Sequence, residues 1–149
     1  AGSESDFWFG NLNSDFSKKE NMADAQLNKM AVSGIDPQPM SKENPWYKYY
    51  SFLPKEESVD DGNMIQTDSK NYEANPFGLF SMHGNIAEWT RSSYVPYPYK
   101  DKSKVSSEYK VVRGGSYIDR PKFSTSYERK AYYPWQRVHN VGFRVIIED

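Results

Sequence analysis

The apolar content of this chain is dominated by rings. Of 149 residues, 12 are Tyr, 8 Phe and 4 Trp, or 16% in all, against a hydrophobic total of only 37% and a mean hydropathy of −0.89. Burying such rings carries phenol hydroxyls and indole N–H groups inside, where each needs a partner. The composition therefore predicts a core threaded with hydrogen bonds instead of an aliphatic sandwich, in a loop-rich fold whose amphipathic rings stand half in water.

The length sets one core as the expectation, with about two-thirds of the unfolded surface buried. Nineteen basic and 20 acidic residues, a formal charge of −1, are spread along the chain. That balance leaves no electrostatic footprint for nucleic acid or an anionic membrane, so neither is an expected partner. No apolar run approaches the ~20 residues of a bilayer span, and insertion of this segment into a membrane is not expected. No charged start followed by an apolar stretch marks a signal peptide, so an exported protein would carry its targeting segment outside this sequence. The absence of cysteine removes disulfides, thiolate catalysis and sulfur-ligated metals, and leaves the redox compartment open.

Local signals place few elements. "AGSESDFWFGN" reads as a strand fragment or loop, since Phe7, Trp8 and Phe9 are consecutive and Gly10 ends them. "SKKENMADAQLNKMAV", from Ser17 to about Val32, has helix formers, a Ser able to cap and Glu20 three residues later, which predicts a short helix. Its apolar positions Met22, Ala25, Leu27 and Met30 make no clean stripe. Pro37, Pro39, Pro45 and Pro54 forbid a long helix over about 34–60, and "PWYKYYSFLP" there reads as an extended surface excursion pinned by its rings. "NPFGLFSMHGN" predicts a one-turn helix from about Phe77 to His83, closed by Gly84. "IAEWTRSSY" alternates as a short strand. "YKVVRGGSYI" and "VGFRVIIE" are the clearest strands, the second through Val141, Phe143, Val145 and Ile147.

"NPFGLFSMHGNIAEWT", "YKVVRGGSYID", "ERKAYYP" and "NVGFRV" occur in the same order and at similar spacing in the formylglycine-generating enzyme, or sulfatase-modifying factor, superfamily. The chain resembles that family over most of residues 75 to 147. Upstream, "FWFGN" is similar to its aromatic-Gly element, and "NMAD" and "DDGN" to two elements of a calcium loop. The resemblance implies an α+β fold related to C-type lectins, with little regular secondary structure and long loops often organised by calcium. It also implies a domain longer than this chain. Residues 1–149 would then be the C-terminal portion of a single domain, with a Pro/aromatic-rich insertion at about 34–60, and an N-terminal half preceding "FWFGN" would be one of its partners.

Members that oxidise a substrate cysteine to formylglycine carry two reactive cysteines shortly after "GGSY", where they bind copper and handle oxygen. Those positions fall on Asp119 and Ser124. Neither supplies a thiolate, and an Asp/Ser pair offers hard oxygen where Cu(I) wants soft sulfur, so no copper and no such oxidation are expected. The superfamily's iron-dependent sulfoxide synthases take histidines from a separate domain, and His83 and His139 alone give no basis for that site. Calcium needs roughly six to eight oxygens from carboxylates, amides, carbonyls and water. The resemblance places one calcium site on Asn21, the carbonyl of Met22, Asp61 and the carbonyl of Asn63. It places a second on Ser81, the carbonyls of Gly84 and Ile86, and Glu88. Ser81 stands where the family usually has Asp or Asn, and the alternative is that Glu88 accepts hydrogen bonds from backbone N–H groups or an Arg.

Arg113, Arg129 and Arg144 are expected to satisfy loop carbonyls in a fold poor in ladders, and Gly114 and Gly115 to permit a tight backbone passage. In the family the neighbourhood of Trp89 borders the peptide-binding cleft, as do Ser116 and the 119/124 pair. Trp89, Ser116, Asp119, Ser124 and Arg129 are thus the expected ligand pocket. No catalytic residue is expected, because no sequence cue places a base beside Ser124.

The function these readings lead to is a non-catalytic, calcium-stabilised, lectin-like recognition or assembly domain, a pseudoenzyme of its superfamily. Its ligand would be a protein, peptide or glycan at a cell surface or in another extracytoplasmic compartment. Cysteine-free relatives include gliding-motility and secretion-associated lipoproteins and the variable ligand-binding proteins of diversity-generating systems. The latter place their variable side chains where Tyr117 to His139 lie here. The rival reading is an enzyme of the same superfamily with a cysteine-independent chemistry, its pocket lined by Asp119, Ser124, Ser116 and Arg129.

Overall fold

A computed structural model describes residues 3–33, 36–39, 54–98 and 106–147. Most of the insertion expected at about 34–60, including its Trp and Tyr cluster, lies outside them. Two strands, β1 (Met30–Ser33) and β2 (Asp36–Pro39), pair antiparallel. The remaining four form a mixed sheet in the order β5-β4-β3-β6: β3 is Ala87–Tyr94, β4 Ser106–Arg113, β5 Lys130–Tyr132 and β6 Val141–Gly142. β3 is central, antiparallel to β4 through Glu88↔Arg113 and Trp89↔Val112, and parallel to β6 through Ala87↔Val141.

The alternating "IAEWTRSSY" forms β3 as its pattern predicts, whereas three other expectations are corrected. Residues from Ser17 to Val32 make no continuous helix: the Phe16 carbonyl accepts from Lys19 and Glu20 N–H, a 3-10 turn spans Ala25–Lys29, and β1 follows. The missing apolar stripe is the reason, because Glu20 and Asn21 are fully buried beside Met22 and Ala23 and turn inward positions that a helix would expose. Residues 77–83 form a turn instead of a helix. Asn75 takes both Phe77 and Leu79 N–H on its Oδ1, and the Asn75 carbonyl accepts Gly78 N–H, so the side chain replaces the helical ladder. The C-terminal strand is cut to two residues. Phe143, Val145, Ile146 and Ile147 all stand 75–87% exposed, with no neighbouring strand among the described residues, while Arg144 turns back to Glu88.

Two small clusters supply the core: Phe7, Phe16 and Met22 with Phe9 and Val59 against them, and Ala23, Leu27 and Tyr117 with Met64, Ile86 and Ile118. Around these lie buried polar side chains, Glu20, Asn21, Asp24, Asn85, Ser116 and Asn140 among them. The expected hydrogen-bonded rings are present: Trp8 Nε1 donates to Glu20 at 3.2 Å, and the Tyr72 hydroxyl accepts from Asn63 at 2.7 Å. Arg113, Arg129 and Arg144 each donate to a backbone carbonyl, those of Ser126, Val95 and Phe80.

Candidate functional site

The turn before β3 is the point where the loops meet. A Cβ on Gly84 would stand 2.3 Å from the Asn21 carbonyl oxygen, so this backbone approach needs glycine. The next residue, Asn85, sits at φ 64°. Its N–H donates to that same carbonyl at 2.7 Å, and its side-chain amide closes on Thr67 as a two-way bond, Oδ1 accepting Thr67 N–H and Nδ2 donating to Thr67 O, both at 2.9 Å. One Asn thereby ties together the segments carrying Asn21, Thr67 and β3, and its carbonyl accepts Tyr117 N–H at 3.0 Å.

The first expected calcium set lies together beside this turn. Asp61 accepts Met22 N–H at 3.0 Å and Asn63 N–H at 2.8 Å, and Asn21 Nδ2 donates to Ile65 O at 2.9 Å. Asn21 Oδ1 is buried and has no hydrogen-bond partner among the described residues. Burial pushes the Asp61 carboxyl up to about 7, with nearby Asp24 adding to the rise and the two backbone N–H groups opposing it. An orphaned amide oxygen beside a carboxylate that is costly to ionise fits an oxygen-liganded dication. Asn21 and Asp61, with the carbonyls of Met22 and Asn63, are the residues that would hold it.

Around the second set an arginine takes the carboxylate. Arg144 Nε reaches both Glu88 oxygens at 3.0 and 3.1 Å, Nη2 reaches Oε1 at 2.6 Å, and Nη2 also donates to Phe80 O at 2.9 Å. The guanidinium thus brings positive charge to Glu88 and to the loop that carries Ser81, whose buried hydroxyl makes a long bond of 3.4 Å to Ser69 O. No group of three or more His, Cys, Asp or Glu side chains among the described residues is arranged to hold a metal ion, so a cation here would depend on amide and carbonyl oxygens.

The five expected pocket residues do not share one cavity. Trp89 lines an open groove of about 840 Å³ together with Trp8, His83, Arg113 and Thr125. Ser116 and Asp119 belong to a polar cluster outside it: Ser116 Oγ donates to Asp119 at 2.6 Å, Asn140 Nδ2 donates to Ser116 Oγ at 2.7 Å, and Lys130 Nζ bonds Asp119 at 2.5 Å. Ser124 is completely buried; a Cβ on Gly115 would lie 2.0 Å from its Oγ, and its carbonyl accepts from His83 Nδ1 at 2.8 Å. Arg129 stacks over Tyr94 and Tyr97, its Cζ 5.1 and 4.7 Å from their ring centres.

Sequence reading missed the Glu20 cluster. Glu20 is a buried carboxyl, not a helix cap: Oε1 accepts Trp8 Nε1–H and Met82 N–H, and Oε2 has no partner among the described residues. Desolvation pushes it up to about 7, against the bonds from Trp8, His83 and Met82 and the charge of Arg144. Trp8 and Met82 lie 12 and 62 residues from Glu20, so no local period could have signalled this cluster.

The sulfatase-modifying factor enzyme 1-like domain family matches residues 10–149. The formylglycine-generating enzyme of Streptomyces coelicolor is 28% identical over 101 residues, covering 62% of this chain and 32% of that protein. Among solved structures, PvdO from Pseudomonas aeruginosa superposes with a TM-score of 0.51 at 23% identity over 82% of this chain and 50% of its own, which shows a shared fold. Treponema denticola variable protein 1 gives 0.47 at 24% identity over 56% of this chain and 32% of its own. The chain thus spans about a third of the length of the curated relative and half of the PvdO chain.

Proposed function

The chain belongs to the sulfatase-modifying factor enzyme 1-like family, and from that premise we propose that it is a non-catalytic recognition or assembly domain, stabilised by calcium and working outside the cytoplasm. The observation that carries this reading is the chemistry at residues 119 and 124. Asp119 is held by Ser116 and Lys130, and the Ser124 hydroxyl is sealed in the interior. An engaged carboxylate and a buried alcohol offer no thiolate to react with a peptide cysteine or to bind copper.

Calcium fits the Asn21/Asp61 set, where one carboxylate and neutral oxygens would do the binding. Sites with so little ligand charge belong with the weak extracellular class, with dissociation constants of about 10⁻⁴ to 10⁻³ M. A cytoplasm would leave such a site empty, which is why the reading places the domain on the outside.

Two measurements test it. After exhaustive chelation, 10 mM Ca²⁺ should stabilise the fold by mass action by about 1.4 to 2.7 kcal/mol for dissociation constants of about 10⁻³ to 10⁻⁴ M and raise the melting point accordingly, and Asp61→Asn should remove the shift. Incubation with a sulfatase-type cysteine peptide should yield no formylglycine. Formation of the aldehyde would end the non-catalytic reading, and a melt indifferent to calcium would end the calcium one.

A further inference from the structure

The C-terminal segment is the least satisfied part of the fold. Within five residues, Phe143, Val145, Ile146 and Ile147 stand 75–87% exposed, whereas exposed apolar side chains on a monomer are ordinarily scattered singly. The backbone there is as bare. β6 ends the sheet order β5-β4-β3-β6 and meets β3 at Val141 and Gly142, and residues 143–147 add no backbone hydrogen bond to another described residue. An apolar run with open N–H and carbonyl groups at a sheet edge is a template for a further strand.

The run is nevertheless held in position. Arg144, near its middle, bonds both Glu88 oxygens and donates to the Phe80 carbonyl at 2.9 Å. Ile146 lines the groove beside Trp89 together with Leu79, which is 40% exposed. A segment pinned through Arg144 and bare on either side of it is presented as an edge.

The extent of the same fold elsewhere points to what covers it. PvdO matches 82% of this chain with 50% of its own length, so that fold carries about as much polypeptide again. Continued as a strand, residues 143–147 would set Phe143, Val145 and Ile147 on one face and Ile146 on the other. A second copy pairing through the same segment would add one strand to one edge, whereas a further half of a domain brings both a strand and apolar side chains for the two faces. We propose that residues 143–147 are the edge onto which polypeptide continuous with this chain, outside residues 1–149, adds a β-strand with apolar alternate side chains, extending the sheet beyond β6. The inference stands on this edge and not on the recognition or calcium readings, which its failure leaves untouched.

Hydrogen exchange read by mass spectrometry, on the whole gene product and on residues 1–149 alone, tests it. In the whole product the amides of 143–147 should exchange roughly 100-fold or more slower than in 1–149. Val145→Asp should leave the melting point of 1–149 within about 1 °C, because the side chain is 75% exposed there. In the whole product it should lower the melting point by about 5 °C or more, by closing an apolar layer over a charge. Should 1–149 not fold alone, the whole product decides by itself, through slow exchange at 143–147 and the effect of Val145→Asp. Rapid exchange of this segment in the whole product, a Val145→Asp product as stable as the unaltered one, or a gene product that consists of these 149 residues overturns the proposal. Protection in 1–149 that grows with its concentration also overturns it, and would assign the edge to a second copy.

Discussion

Replacing Arg144 with Met should destabilise the fold by about 2–3 kcal/mol. The guanidinium contacts both Glu88 oxygens at 2.6–3.1 Å and the Phe80 carbonyl at 2.9 Å, and a bond to a charged partner contributes at most about 1.5–3 kcal/mol. The two side chains are 30% and 26% exposed, so solvent screens the pair and the bonds cannot be summed at full value. Met preserves most of the stem's packing, which isolates the guanidinium. For a chain of 149 residues, each kcal/mol moves the melting point by roughly 2–4 °C, so the variant should melt about 4–12 °C lower. Arg144→Lys should recover only part of the loss, because a compact ammonium cannot reach two carboxylate oxygens and a carbonyl in one plane. A double-mutant cycle with Glu88→Gln, read by urea denaturation, should give a coupling of about 1–2 kcal/mol. Strict additivity, or a loss below about 0.5 kcal/mol, would refute the claim that this pair ties the C-terminal segment to the turn before β3.

Gly84→Ala should cost about 3 kcal/mol or more, or prevent folding, because its methyl group would lie 2.3 Å from the backbone oxygen of Asn21; a melt close to that of the native chain would contradict the close approach. Burial pushes the Glu20 carboxyl up to about 7 in the fold, against about 4.5 for a free glutamate. Between those pH values the unfolded chain has released the proton and the folded chain holds it, so stability is full below about pH 4.5 and is lost as pH rises through 7. Relative to Glu20→Gln, which keeps the Oε1 contacts, the native chain should lose about 3 kcal/mol across that window, and parallel stability profiles of the two proteins would refute the burial argument. Ser116→Ala should cost about 2 kcal/mol in urea denaturation by stranding buried Asn140 Nδ2 and removing one of the two bonds on the Asp119 carboxylate, the other being that of Lys130. An unchanged midpoint would show that the cluster is not structural.

What the sequence disclosed and what it hid divide along a physical line. β3 was legible because Ile86 to Tyr94 alternates and its partners impose nothing contrary. The loop-rich, hydrogen-bonded core was legible from composition, because Trp and Tyr cannot be buried without partners. The ordered motifs carried the family, and with it the placing of Asn21, Met22, Asp61 and Asn63 in one loop cluster. Periodicity failed wherever a side chain replaced a ladder. Glu20 fits the pattern of a helix cap yet lies beneath Trp8. Asn75 closes a turn that looks helical from its Pro and Gly. The alternation of Val141 to Ile147 says strand, but whether a neighbour pairs with it is a long-range fact that no local pattern encodes. The pocket expectation grouped Trp89 with Ser116, Asp119, Ser124 and Arg129, because nearness in motif order gives no sign of which wall of a strand each side chain occupies.

The stretch from His83 to Trp89 shows how a fold with so few ladders stays in one arrangement. Gly84 lets the backbone touch Asn21, Asn85 clasps Thr67, Ala87 opens the central strand, and Glu88 holds Arg144 from the far end of the sequence. Each is a polar or steric constraint between segments distant in sequence, doing the work that strand pairing does elsewhere. The Ser116, Asp119, Lys130 and Asn140 cluster has the same character. Its members satisfy one another, so a chain with oxygen at residues 119 and 124 keeps this part of its core without thiols. The groove beside Trp89 is separate from that cluster and draws its walls from the turn, from β3 and from the loop after β4. Neither Asp119 nor Ser124 is among the residues that line it, so the oxygen chemistry at those two positions and the walls of the groove are set by different contacts.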